Sequence, residues 1–417
     1  MTVAVHRLAP DALAALAGGL GGAEAIRELR RTQLSKHLLL IRFLLEQASD
    51  PAGELLERAR QADPAAFHRV LGDPLTGGWA AITGRAVLQG EASAGDLGYL
   101  SAIAVVAAAR AGVDGSVTVP VHHGLAVLPG AGAIEAGDAA TVEVSTTGGR
   151  LFRLSTDGVV ELPGGDGWLP VRRLTADARG QSIDLALDDV HPYRHGHHVP
   201  PANRLPGDEV RRWQETFTGA WALLATGLPE RAAELAAGLE TLVPLLQTDP
   251  RSARSATIRH AFGVFGLTRP GTPADFAVTL VHEFQHSKLS AILDLVQLTD
   301  PDDEGRYFAP WRTDPRPLPG LLQGVYAFAG VADTWRALRG VIPVAEARFA
   351  ETRLQVDRGL TAVEESGSLT ADGLRFTAEL RRTADRLLAE PVPDAVAREA
   401  RDTLARIHGA WQDRNGH

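Results

Sequence analysis

Phe276-Ala277-Val278-Thr279-Leu280-Val281-His282-Glu283-Phe284-Gln285-His286-Ser287-Lys288-Leu289 is the stretch that decides the reading of this chain. Thr272 is suited to be an N-cap, Pro273 fits the first helical position, and Asp275 completes a capping-box-like start. Phe276, Leu280, Phe284 and Leu289 then recur at spacings of about a turn, the period of a helix. On that helix His282 and His286 lie one turn apart and project from one face. Two imidazoles held in this way, with Glu283 beside them, form the His-Glu-x-x-His arrangement of a divalent-metal site. Such groups are costly to bury among Leu, Val and Phe without a partner, and a metal is the partner that fits. The plain alternative is a surface helix that holds them by chance.

Outward from this helix, the 417 residues are enough for two or three domains, with 45% apolar and 22% charged residues as in a globular protein. A net charge of -9 argues against nucleic acid as the main partner. Lys36 and Lys288 are the only lysines, and there is no cysteine, so any metal must be held by nitrogen and oxygen. Residues 1–10 lack a signal pattern and no uncharged apolar run reaches membrane-spanning length, so a cytoplasmic protein without membrane association is expected.

The chain divides into a helical N-terminal lobe (1–112), a small β-rich domain (113–205) and a helical metal-binding domain (206–417). In the first, Leu38-Leu39-Leu40-Ile41-Arg42-Phe43-Leu44-Leu45 predicts a long buried helix and residues 96–110 an Ala-rich one. In the second, residues 117–121, 140–144, 151–154 and 183–187 alternate or are β-rich between Gly and Asp clusters, which predicts a mostly antiparallel sheet. His122 and His123 read as turn residues. His191, Tyr193, Arg194, His195, His197 and His198 crowd an irregular stretch that could bind a second metal, although solvated loop histidines are the commoner outcome.

In the third domain, Trp213, Phe217 and Trp221 form a stripe at one-turn spacing that belongs to a core. A helix is expected over 231–245 and a strand over 262–268. Past the metal helix, residues 299–319 are too Pro-rich for regular structure and too long for a plain connection, which favours a functional loop. Arg312 and Arg316 in it could each grip a carboxylate, or pair with Asp314 or Glu304 and only fix the loop. Four further helices are expected over 318–338, 344–364, 372–388 and 394–411. The fold class is therefore α+β and mainly helical: a zincin-like metal helix in a helical bundle, plus a small, mostly antiparallel sheet.

A two-histidine helix recruits a third donor from downstream. Glu304 falls near the distance usual in zincin-type peptidases but stands among Asp302, Asp303 and Gly305. The next helix has no Glu, and its polar candidates are Gln323, Tyr326 and Asp333. This departure weakens a peptidase reading, and two His plus one oxygen donor also describes a non-haem iron site.

Three segments together resemble a known family: the His282–Leu289 motif, then Ala309-Pro310-Trp311-Arg312 with Asp314-Pro315-Arg316-Pro317, then Gly320-Leu321-Leu322-Gln323-Gly324-Val325-Tyr326-Ala327. Leu34-Ser35, Gly95-Asp96-Leu97-Gly98-Tyr99-Leu100 and Pro192-Tyr193-Arg194 fit as well. The chain resembles the HExxH-motif proteins of ribosomal-peptide natural-product (RiPP) clusters, regarded as 2-oxoglutarate- and Fe(II)-dependent peptide β-hydroxylases. The resemblance implies that His282 and His286 bind Fe(II), with Gln323, which matches the family's polar position before Gly324, or else Asp333 as third donor. It implies that Arg312 or Arg316 holds the distal carboxylate of 2-oxoglutarate, that Glu283 orients a ligand or water, and that the partners are a ribosomally made precursor peptide and molecular oxygen. The rival readings are a zinc metallopeptidase with Glu283 as general base, and a non-catalytic peptide-binding protein with a structural metal.

Overall fold

The computed structural model describes residues 6–47, 52–156, 158–195, 199–249 and 252–415. It opens with α1 (Pro10–Ala17), α2 (Gly22–Gln47), α3 (Ala52–Ala62), α4 (Pro64–Leu71), α5 (Pro74–Gln89) and α6 (Ala94–Arg110). Nine strands follow: β1 (Gly115–Pro120), β2 (Leu125–Leu128), β3 (Gly132–Glu135), β4 (Thr141–Thr147), β5 (Arg150–Ser155), β6 (Gly158–Leu162), β7 (Trp168–Pro170), β8 (Arg172–Ala178) and β9 (Gln181–Leu187). Next come α7 (Gly207–Gly227), α8 (Pro229–Gly238), β10 (Thr241–Pro244), β11 (Ser255–Thr257), β12 (Val264–Leu267) and α9 (Pro273–Leu293). The chain closes with α10 (Leu318–Ala337), α11 (Ala345–Glu365), α12 (Ala371–Ala389) and α13 (Asp394–Asn415). The architecture is α+β and mainly helical.

Helix α2 corrects one expectation. Its apolar run is not buried on most sides: Gln33, His37, Ile41 and Leu44 face inward, while Leu39 is 52% exposed. Those inward positions follow the helical period, and a continuous apolar run necessarily turns some members to the outside. His122 and His123 do stand in a turn, with His123 at φ 52.

Two sheets are antiparallel, β1-β4-β5-β6 and β2-β3-β7. The expected segments 117–121, 140–144 and 151–154 supply β1, β4 and β5 of the first, while β2, β3, β6 and β7 were not expected and 183–187 falls in the third sheet as β9. The third sheet is mixed, in the order β11-β12-β10-β9-β8. Its centre is parallel, β9 to β10 and β10 to β12, with β8 and β11 antiparallel at the two edges. It joins strands from both sides of residue 205, so the break in composition at 188–206 is a crossover between paired strands. The helix expected over 231–245 stops at Gly238, and Thr241-Leu242-Val243-Pro244 becomes a fully buried strand. β-branched and apolar residues lying between two parallel neighbours make a better strand than a fourth helical turn.

Under this sheet lies α9. Thr272 caps it by accepting from the Asp275 N–H at 3.1 Å, with Pro273 in its first turn. Phe276 packs edge-on against Trp213 and Phe217 of α7, so the aromatic stripe is core. On the other flank α10 comes close: a side chain at Gly330 would crowd Gln285 and Val281. Helices α11 and α12 pack behind α10 rather than directly behind α9.

A buried ion-pair network fixes α9 to the N-terminal segment. Lys288, fully buried, donates to Glu234 Oε2 at 2.7 Å and to the Gly19 carbonyl at 2.9 Å. Glu234 Oε1 accepts from the Gly21 and Gly22 N–H groups at 2.6 and 2.9 Å. Burial opposes the Glu234 charge, but the charge and hydrogen bond of Lys288 outweigh it and hold the carboxyl below its ordinary range.

Candidate metal centre

Helical geometry places His282 and His286 on the same side of α9, and their Nε2 atoms approach to 3.2 Å. Two nitrogen ligands at about 2.0–2.1 Å from one ion stand roughly this far apart. His286 donates from Nδ1 to Gln323 Oε1 at 3.0 Å, a bond that sets the imidazole tautomer and leaves Nε2 with a lone pair facing its neighbour. Burial, and then repulsion from His286, push the His282 imidazole down to about 4, so it is neutral at ordinary pH, as a metal ligand must be.

Glu283 lies beside His282 and is held by the edge of the sheet. Ser255 and Thr257 alternate on β11, so both hydroxyls reach it: Ser255 donates to Oε1 and Thr257 to Oε2, each at 2.6 Å. The carboxylate is only 2% exposed, and its Oε1 lies 3.8 Å from His282 Nε2. The two hydroxyls satisfy a charge that would otherwise be costly at this depth.

These residues line a cleft of about 550 Å³ between β11, α9, α10 and the 299–317 loop. Tyr307 and Arg316 close the base of that loop with two backbone bonds, of 2.8 and 2.9 Å. Trp311 stacks on Phe328 at 4.5 Å and 16°, and Phe328 meets His282 edge-on at 5.3 Å. Trp311 sits where Gly324 and Gly359 leave room, since a Cβ at either would collide with or crowd its ring. Arg312 and Arg316 both line the cleft, and both are engaged by Asp314, through Nε to Oδ1 at 2.8 Å and Nη1 to Oδ2 at 3.3 Å.

The structure therefore brings together His282, Glu283, His286, Gln323, Arg312 and Arg316. It gives Gln323 a different part from the third ligand expected of it: its amide oxygen serves His286, and its Nε2 is directed to Ser290 Oγ at 3.4 Å. The carboxylate of Asp333, the other candidate, is held by Arg231 at 2.8 Å and by Arg336 at 2.9 Å, and it lines a separate cavity. Tyr326 is committed to the Leu16 carbonyl, and Glu304 is exposed outside the cleft. Among the described residues no group of three or more His, Cys, Asp or Glu side chains is placed to hold a metal ion.

The histidine-rich stretch has a structural role where it is described. His191 is buried, accepts the Tyr193 N–H at Nδ1 and bonds the Tyr99 hydroxyl through Nε2 at 2.9 Å, while the Tyr193 hydroxyl donates to Asp96. His197 and His198 lie outside the described residues. Ser255, Thr257 and Arg259, which also line the cleft, carry no signal in the sequence; a three-residue strand offers too short an alternation to stand out. Neither family models nor curated proteins give a match to the chain.

Proposed function

We propose that this protein is an Fe(II)- and 2-oxoglutarate-dependent oxygenase that β-hydroxylates a residue of a ribosomally made peptide. The observation that carries the reading is the pair of Nε2 atoms converging at 3.2 Å in a cleft with arginines on its wall. A metal held there by two imidazoles would have positions open for an oxoacid and dioxygen, and the arginines suit the far carboxylate of an oxoacid, which a hydrolytic zinc site does not require. When bound, the metal and 2-oxoglutarate supply the oxidation of an unactivated C–H bond by O2, with succinate and CO2 as the other products.

The chain's own share is placement. His282 and His286 hold the ion, and Gln323 fixes the ring of His286. Trp311 and Phe328 form an aromatic wall beside His282 that limits water on that side. Glu283, kept in one orientation by the two β11 hydroxyls, is a fixed acceptor for a ligand or water. Arg312 and Arg316 present guanidiniums to the distal carboxylate of the oxoacid, which would compete with Asp314 for them.

One observation favours a zinc metallopeptidase as the second reading: β11 is an edge strand lining the cleft next to Glu283. An extended peptide could add to such an edge. Anaerobic loading separates the two. The oxygenase takes up Fe(II) and 2-oxoglutarate together and releases succinate only with peptide and oxygen present. A peptidase retains zinc and shortens the peptide with no gain of oxygen mass, a result that would sink the first reading.

A further inference from the structure

The chain carries a net charge of -9, yet the cleft at the two histidines is lined by three guanidiniums, Arg259, Arg312 and Arg316, against one carboxylate, Glu283. Among the described residues Glu283 forms no ion pair with any of them; its oxygens accept from Ser255 and Thr257. Asp314 engages Arg312 and Arg316. Arg259 is different. It stands exposed in the connection from β11 to β12, and among the described residues its guanidinium has neither a hydrogen bond nor a carboxylate partner.

A guanidinium facing a cleft without an internal partner is a receptor for a planar anion, and carboxylate is the anion it fits in bidentate fashion. Two sources are available at this site, the oxoacid and the substrate. The 299–317 loop already offers two arginines to the oxoacid. Arg259 comes instead from the connection after β11, two residues beyond Thr257, the last residue of the strand whose edge borders the cleft. We infer that Arg259 receives an acidic side chain of the substrate peptide, so that the cleft selects segments with Asp or Glu near the residue that is modified. This rests on the reading of the cleft as the site where the peptide is processed.

The test uses the full-length protein loaded with Mn(II) and two fluorescein-labelled nonapeptides of Gly, Ala and Ser that differ only in a central Glu or Gln. Binding is followed by fluorescence anisotropy at low ionic strength, where an exposed charge contact is least screened. The wild-type chain should bind the Glu peptide about fivefold more tightly than the Gln peptide, the size expected of one solvent-accessible charge-assisted contact. Arg259→Gln should abolish that preference and Arg259→Lys should keep part of it, with 2-oxoglutarate affinity unchanged in both. The inference is overturned if the preference survives in Arg259→Gln, if the wild type shows none, or if Arg259→Gln weakens 2-oxoglutarate and leaves the peptide preference intact. Failure of the oxygenase reading is visible separately, as a wild-type chain that shows the Glu preference but does not bind 2-oxoglutarate.

Discussion

Replacing Lys288 with Met keeps the length of the side chain and removes its charge from a position with no solvent access. The ammonium now answers Glu234 at 2.7 Å and the Gly19 carbonyl at 2.9 Å, with the Phe284 and Tyr326 rings each 5.9 Å away. Removing one member of a buried pair costs about 3–5 kcal/mol, because the other charge is left without compensation. Here Glu234 would retain the Gly21 and Gly22 N–H groups and the field of Arg231, which places the loss near the lower end, about 3 kcal/mol. The double variant Lys288→Met/Glu234→Gln removes both charges and leaves an amide oxygen for the two N–H groups, so it should be more stable than Lys288→Met alone. Urea unfolding followed by circular dichroism measures all three chains, with equal m-values as the check that the unfolding transition is unchanged. If Lys288→Met unfolds within 1 kcal/mol of the wild type, about the scale of an exposed pair, or if the double variant is the weakest, the network does not hold α9 as argued.

Three other outcomes are expected. His282→Ala should lose bound metal after dialysis while its circular dichroism spectrum is retained, since the side chain faces the cleft; metal content by mass spectrometry decides it, and full retention would count against the site. Gly324→Ala should cost about 1–3 kcal/mol by overpacking and shift tryptophan fluorescence as Trp311 leaves its stack on Phe328; an unchanged spectrum and stability would refute that seat. Acid should destabilise the fold through His37 and His191, which burial lowers to about 4 and about 3. Folded values below the unfolded one mean their stabilisation is complete above about pH 6.5 and is lost on acidification, by about 2 kcal/mol for each at pH 5. The same urea midpoints measured from pH 8 to 5 would test this, and a flat profile would contradict it.

What the sequence made legible was local. The N-cap at Thr272, the period of α9 and the turn between His282 and His286 depend on neighbours within a few residues, and each was readable. Trp213, Phe217 and Trp221 were recognisable as core because a helical stripe reports burial directly. The parts that failed are set by partners distant in the chain. Nothing near Thr241 says that residues 241–244 will lie between β9 and β12, and nothing near Asp333 says that Arg231, 102 residues earlier, will claim it. Gln323 lines the cleft, but whether an amide meets a metal or an imidazole depends on ångström-scale geometry that spacing does not contain.

The bond from Lys288 to the Gly19 carbonyl has a practical consequence for shortening this protein. A truncated chain starting at α2 would delete a loop that, judged by distance along the sequence, has nothing to do with the histidines. It would also strip the ammonium of one acceptor and open a polar hole one residue past Ser287, on the rod that carries both imidazoles. The turn at residues 18–22 therefore behaves as a keystone for the helix at the centre, and trimming through it in search of a smaller protein should cost solubility first.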